Sequence, residues 1–298
     1  MTEPTVSVVT ATYNRSDVLV HAIDSVIAQS FADWELIVVG DACTDDTAER
    51  VASVGDDRIR FVNRRENHGE QSVPNNEGAA MARGGFIAFL NHDDMWYPDH
   101  LESGLATLRR SGADLVYSLR ATLAPDRSVD VHGADAVRRR RLLQPIPAST
   151  WICRRELLQR VGGWRSAFEL RLAPSQDWLV RALDDGADLV GTGSVTVLMV
   201  PSGVRDNSYV ATDPGDTEAA LELLTDDARR ELRGRAPSPP RTLRAFGWRV
   251  VEPLLMLCGQ HPYVVKVILN HGLGRGAFIR RLRRRRGLAE MPKRVQHG

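Results

Sequence analysis

The first 120 residues alternate short apolar runs with amphipathic stretches, and the apolar runs break abruptly into polar clusters. Val6 to Ala11 (VSVVTA), Trp34 to Val39 (WELIVV), Arg58 to Val62 (RIRFV) and Phe86 to Leu90 (FIAFL) have the length and side chains of strands. Between them, Ser16 and Asp17 open a helix with Leu19, Ile23, Val26 and Ile27 on one face. Thr44 to Val54 predicts a second helix, and Asn75 to Arg83 a third, closed by Gly84 and Gly85. Strands alternating with helices predict βαβ units and an α/β fold around a mainly parallel sheet.

Sheets of that kind bind ligands at the carboxyl ends of their strands. Three polar clusters fall there: Thr10 to Arg15, Gly40 to Asp46, and Asn91-His92-Asp93-Asp94. Asp93 and Asp94 stand side by side, and two adjacent acids destabilise a fold unless a cation neutralises them. The plainer reading is a solvated helix start, since Asp is a good N-cap. Asp41 and Asp45 likewise read either as ligands or as caps of the second helix, with Asp45 the better cap. Tyr13 is a pocket aromatic or a packed loop residue, and His92 a ligand or a hydrogen-bond partner. No G-x-G-x-x-G follows the first strand, which argues against a dinucleotide site.

The second half is less regular. Asp114 to Ser118, Ser149 to Cys153 and Ser194 to Val200 read as strands; Arg155 to Val161 and Gln176 to Leu183 read as helices, with a Gly162-Gly163 turn between. Arg138 to Arg141 is a basic patch that reads as a solvated loop, and Pro237 to Pro240 as a sharp turn or linker. The chain has 298 residues, 43% of them hydrophobic and 26% charged, which suits one large soluble α/β domain plus an appendage. A net charge of +1 argues against nucleic acid as partner. No apolar stretch is long enough for a transmembrane helix, the N-terminus lacks a signal-peptide pattern, and three scattered cysteines fit reduced thiols in a cytoplasm.

Taken in order, VSVVTATYNR, IVVGDACTDDT, NHGEQSVPNNEGAAMARGGFIAFLNHDD and IPASTWICRRELLQRVGGWRSAFELRLAPSQDW resemble the family 2 glycosyltransferases of GT-A fold. Each motif is weak alone; four in the right order, over roughly residues 5 to 210, are specific. The resemblance implies a GT-A domain at 1–210, with a nucleotide-sugar-binding half at 1–118 and an acceptor-binding half at 119–210, then a helical, basic extension at 211–298. It implies transfer of a sugar from a nucleotide-sugar donor, UDP-linked in many members, with inversion and with Mg²⁺ or Mn²⁺. By the same resemblance, Thr10, Thr12, Tyr13, Asn14, Asp41, Asn76, Asn91 and His92 would hold the donor. Asp93 and Asp94 would hold the metal, and Asp177 would be the general base on the acceptor hydroxyl. Trp164 and Trp178 read as core or acceptor-platform residues.

The chain departs from the family pattern at several of these places. Asn91 replaces the first D-x-D acid, Gly40 stands where an acid is common, Asn75 where an Arg is common, and Gln176 replaces the Glu before the base. Val200 to Arg205 contains no late histidine to complete a metal shell, so Arg205 becomes the candidate cation for the phosphates. These departures keep a rival open, a non-catalytic nucleotide-sugar-binding domain of the same fold. A sugar-nucleotidyltransferase would want a Gly-rich loop after the first strand, which Thr10 to Arg15 lacks. The acceptor class, whether small molecule, glycan or lipid-linked, stays open, as does a homodimer. The run from Phe278 to Arg286 reads as a solvated or subunit-contacting helix, or as a peripheral contact with an anionic membrane.

Overall fold

The structure, a computed structural model, describes residues 3–134, 136–138, 140–202, 214–235, 237, 255, 258, 261, 263–265 and 277–288. Arg205, most of the Pro237 to Pro240 turn and most of two further apolar stretches of the sequence, Trp248 to Leu257 and Tyr263 to Leu269, lie outside these residues. Among the described residues no helix is long and apolar enough to cross a membrane.

Four strands form the parallel core of the sheet: β1 (Val6–Thr12), β2 (Trp34–Gly40), β3 (Ile59–Asn63) and β4 (Phe86–Phe89), in the order β3-β2-β1-β4. β1 and β2 are buried almost throughout, because helices cover both faces of the sheet, so their sequences read as continuous apolar runs. β3 is the edge strand and alternates between half-buried and exposed residues. On one face lie α1 (Ser16–Ile27) and α4 (His100–Ser111), whose Leu19, Ile23, Leu101 and Leu105 pack on Val8, Leu36 and Ala88. On the other lie α3 (Ser72–Met81), α5 (Arg155–Val161) and α6 (Pro174–Asp184), over a core of Phe89, Trp151, Trp164 and Trp178. Trp151 and Trp178 stack with ring centroids 5.1 Å apart, and Trp164 is 4% exposed. Both Trp164 and Trp178 are therefore core residues, each contributing about 2–3 kcal/mol by burial. α2 (Thr47–Ser53) is shorter than the run from Thr44 suggests, because Asp45 spends its carboxylate on both helix starts: it accepts from Thr47 N at 3.2 Å and Ser16 N at 3.2 Å.

Past β4 the sheet turns mixed. It continues through β10 (Trp151–Arg154), β6 (Leu115–Leu123) and β11 (Leu189–Met199) to β5 (Asp94–Trp96), with β7 (Val129–His132) paired to β6. β10 runs antiparallel to both its neighbours, and β11 is parallel to β6 but antiparallel to β5. The Arg138 to Arg141 patch is a small ladder rather than a plain loop: β8 (Val137–Arg138) pairs with β9 (Arg141–Leu142), and Arg140 meets Asp188 at 3.0 Å. Two further helices, α7 (Pro214–Leu223) and α8 (Asp226–Gly234), close the far end by packing Ala220 and Leu232 against Met95, Tyr97 and Leu198. The last described helix is α9 (Ala277–Arg285).

Candidate functional site

Sheet register brings the polar clusters together. Thr12 pairs with Gly40 at the ends of β1 and β2, and Asp41 N donates to Thr12 O at 2.8 Å. Val9 pairs with Phe89, so the chain leaving β4 runs beside Ala11, and the His92 ring meets Ala11 O at 3.3 Å. The loops after β1 and β2 are clipped to each other: Thr44 N donates to the Asn14 amide oxygen at 2.9 Å, and Asn14 N to Cys43 Sγ at 3.3 Å. Asn14, Arg15 and Ala42 hold left-handed backbone there, at φ 48, 77 and 62. Gly40 is closely surrounded by side chains. A Cβ on it would meet Asn63 Oδ1 at 2.6 Å and Cys43 Sγ at 3.0 Å, so an acid here would displace the Asn63 side chain that bonds Cys43.

Asp41 is 3% exposed, and its carboxylate accepts from His68 N at 2.9 Å and Gly69 N at 2.8 Å. Burial pushes its carboxyl above the ordinary range, against the pull of those N–H groups and the nearby Arg64. It thereby fixes the loop His68–Gly69 over the sheet edge while its side chain still faces the cavity.

Asp93 and Asp94 are no solvated helix start. They are 9% and 0% exposed, Asp94 begins β5, and the following helix waits until His100. Asn91 explains itself here. Its amide donates to Asp94 Oδ2 at 2.9 Å, where an acid would set a third carboxylate beside Asp93 and Asp94, and Ser149 Oγ donates to the same oxygen at 2.5 Å. Burial, then the charge on Asp93, push the Asp94 carboxyl up to about 7. Burial works against Asp93 too, but His92, Arg286 and the Ser202 contacts bring it below the ordinary range, with Ser202 N donating at 3.0 Å. His92 is buried, and its pKa falls to about 4, so it stands neutral at physiological pH.

These residues line a cavity of about 250 Å³ with Ala11, Thr12, Tyr13, Glu70, Pro74, Pro174 and Ser202. The opposite wall is α9 and the turn behind it, through Ile279, Leu282, Arg283, Arg286 and Leu288. Arg283 donates to Gly69 O at 2.8 Å and Arg286 to Ser202 Oγ at 2.7 Å. The tail is thus neither wholly solvated nor wholly a surface contact: one face closes the site, and Arg280, Arg281, Arg284 and Arg285 face outward.

Thr12, Tyr13, Asp41, Asn91, His92, Asp93 and Asp94 therefore converge on one cavity, and four other candidates do not line it. Thr10 is buried within β1, and Asn14 links loops. Asn76 is a clamp: its amide accepts from Trp164 N at 2.8 Å and donates to Trp164 O at 2.9 Å, tying α3 to the segment after α5. A Cβ on Gly163 would strike that amide at 2.8 Å. Asp177 sits in the first turn of α6 and accepts from Arg181 Nε at 3.0 Å, with Arg165 at 4.0 Å. Arg181 also donates to Val161 O and Gly163 O, both at 2.8 Å, so in this conformation Asp177 braces the turn before it. Gln176 fixes Ile146 through both backbone groups, at 3.0 and 2.7 Å. Sequence reasoning missed Glu70, Arg283 and Arg286. Glu70 is 9% exposed, accepts from Ser72 N at 2.7 Å, and is raised by burial.

Asp94 Oδ1 is buried with no hydrogen-bond partner among the described residues, and an orphaned carboxylate oxygen beside a second carboxylate suits a hard cation. Among the described residues no group of three or more His, Cys, Asp or Glu could hold a metal by itself. Mg²⁺-type sites that take one or two carboxylates and complete their shell with substrate phosphates and water fit that donor set.

The description glycosyl transferase family 2 belongs to the family pattern that matches residues 7–160. TuaG of Bacillus subtilis (strain 168), a putative teichuronic acid biosynthesis glycosyltransferase, is 34% identical over 126 residues, 42% of this chain and 50% of the relative. WfgD of Escherichia coli, a UDP-Glc:alpha-D-GlcNAc-diphosphoundecaprenol beta-1,3-glucosyltransferase, is 31% identical over 112 residues, 38% of this chain and 44% of the relative. The chain thus spans about half the length of these curated relatives. Residues 1–349 of S. aureus TarS in complex with UDP-GlcNAc superpose with a TM-score of 0.56 at 21% identity, over 74% of this chain and 65% of that one. The mannosyltransferase PcManGT from Pyrobaculum calidifontis, in complex with GDP-Man and Mn2+, gives 0.54 at 17% identity, over 95% of this chain and 88% of that one. At those identities the likeness establishes the fold.

Proposed function

The chain belongs to glycosyl transferase family 2 and has the GT-A fold; from that premise we propose that it moves a sugar from a UDP-linked donor to an acceptor hydroxyl. The observation that carries this reading is the convergence of Tyr13, Asp41, His92, Asp93 and Asp94 on one cavity at the carboxyl edge of β1, β2 and β4. UDP is favoured because WfgD is named for UDP-Glc and TarS binds UDP-GlcNAc.

In this reading residues 1–118 hold the nucleotide, 119–210 form the acceptor side, and α9 covers the donor. Tyr13 packs on the base, and the loop that Asp41 anchors borders it. Asp93 and Asp94 would hold a divalent cation, Mg²⁺ or Mn²⁺, which when bound supplies Lewis-acid neutralisation of the departing diphosphate. The acceptor oxygen attacks the anomeric carbon, its proton passes to a carboxylate, and the bond to the diphosphate breaks with its electron pair. One displacement of this kind inverts the anomeric centre. Asp177 is the carboxylate the family resemblance assigns to the proton. Its first-turn position places it one helical turn from Pro174, which lines the cavity, and release from Arg181 would free it. Glu70 is the second reading, favoured because it already lines the cavity. The acceptor is proposed to be lipid-linked, after WfgD, with the outward arginines of α9 resting on an anionic bilayer.

The test is release of nucleoside diphosphate from a panel of UDP-, GDP- and dTDP-sugars by the full chain, with and without lipid-linked acceptors. A transferase hydrolyses its donor slowly even without acceptor, and a binding domain binds it without turnover. Removing the base should cost about 10²-fold or more in transfer and little in donor affinity. Asp177→Asn and Glu70→Gln therefore separate the two carboxylates, and near-wild-type transfer in both would reject both as the base.

A further inference from the structure

We propose that α9 is the cationic wall of the donor site, and that Arg283 and Arg286 bind the diphosphate of the nucleotide sugar. The proposal rests on reading the cavity as a donor site. Ile279, Leu282, Arg283 and Arg286 recur at i, i+3, i+4 and i+7, so they share one face of α9 and its following turn, and all four line the cavity. An arginine is seldom buried, yet Arg283 is 8% exposed.

The two guanidinium groups are placed against the acid-anchored parts of the opposite wall. Arg283 donates to Gly69 O at 2.8 Å, and Gly69 N donates to Asp41 at 2.8 Å. Arg286 donates to Ser202 Oγ at 2.7 Å, and Ser202 N donates to Asp93 at 3.0 Å. One arginine therefore borders the Asp41 loop and the other borders the Asp93 carboxylate, the span between base end and metal end. The sheet-edge wall brings Asp41, Glu70, Asp93 and Asp94 to the same cavity. A diphosphate entering there meets like charge and needs cations close by. Guanidinium groups suit phosphate oxygens because their planar fork donates two parallel hydrogen bonds. With Asn91 in place of an acid and no third metal-holding side chain among the described residues, α9 shares the neutralisation of the leaving group with the cation.

A purely structural α9 would use the same arginines as struts, and the nucleotide's phosphates separate the two roles. The full chain is titrated by calorimetry with UDP, GDP and inorganic pyrophosphate, each in EDTA and in Mn²⁺; binding of the matching nucleosides is followed by ligand-observed NMR. Arg283→Gln and Arg286→Gln should each weaken UDP and pyrophosphate at least about tenfold and leave uridine unchanged. Arg284→Gln, on the outer face, should change none of these. Arg283→Lys and Arg286→Lys keep the charge and most packing, and should fall between wild type and Gln; they carry the test where a Gln variant melts low. Unchanged diphosphate affinity in folded variants, or equal losses for uridine and UDP, would overturn the proposal. Wild-type chain that binds pyrophosphate but no nucleotide would keep the α9 anion site and sink the donor reading. Wild-type chain that binds neither would sink both.

Discussion

The cavity has two walls built by opposite means. The sheet-edge wall is acidic, and local chain geometry fixes it: parallel strands end in register, and Asn14, Asp41 and Asp45 bond the following loops to one another. The α9 wall is basic and comes from the far end of the chain, held by Ile279, Leu282 and two arginine contacts. The role of a motif therefore depends on what positions it. Asp93 and Asp94 are committed to the cavity by the strand before them. The arginines of α9 gain a role only through the face on which that helix docks.

Breaking the acidic wall should have the largest effect. Asp94→Asn is expected to lower transfer about 10²-fold or more, as when a charge-stabilising group leaves an active site. The fold should survive, because Asn is the same size, and Asp94 Oδ1 lacks a partner among the described residues. Turnover assays and thermal melts on the same protein check both halves. Full activity in the mutant would detach the acids from catalysis and leave α9 as the working wall.

The scaffold beneath the acidic wall gives the next prediction. Glu35, 2% exposed in β2, accepts from Ser7 Oγ at 2.7 Å and Arg83 N at 2.8 Å and pairs with Arg60 at 3.1 Å. Burial opposes its charge, but Ser7 and Arg83 outweigh it and bring the carboxyl below its ordinary value of 4.5. A carboxyl depressed on folding adds stability that is present above the unfolded pKa and lost as pH falls through the folded value. Glu35→Gln should cost about 1–3 kcal/mol at neutral pH, limited because Arg60 and Arg83 remain solvated. It should also flatten the acid limb below pH 4.5. Denaturant melts from pH 7 downward test this, and an unchanged acid limb would remove Glu35 from the account.

Asn76→Ala separates clamp from ligand. The structure predicts a loss of about 1–2 kcal/mol from the orphaned Trp164 backbone and unaltered UDP affinity. Calorimetry showing weaker UDP binding at normal stability would return Asn76 to the donor set. The smallest effect belongs to the outer face of α9. Arg284→Gln should reduce sedimentation with phosphatidylserine vesicles by about 1 kcal/mol, the weight of one basic residue near an anionic surface. Equal sedimentation would leave that face merely solvated.

Legibility in the sequence follows the same division. The parallel half could be read because both-face burial makes β1, β2 and β4 continuous apolar runs with polar ends. The antiparallel turn at β10, the three-residue β5 and the small β8–β9 ladder carry no such periodicity, since their pairing depends on distant partners. Seven of the candidate residues line the cavity because strand ends position them. Asn76 accepts from Trp164 N and Asp177 from Arg181 Nε in this conformation, partners that sequence order does not reveal. The i, i+3, i+4, i+7 spacing of Ile279, Leu282, Arg283 and Arg286 was the available signal for α9, masked by the arginines on its other face.

The most direct test of a two-walled donor site is a crystal structure of the full chain with a UDP-sugar and Mn²⁺. The base is expected beside Tyr13 and the Asp41 loop, with the diphosphate between Asp93–Asp94 on one side and Arg283 and Arg286 on the other. A nucleotide bound outside this cavity, or a diphosphate from which α9 has withdrawn, would contradict it.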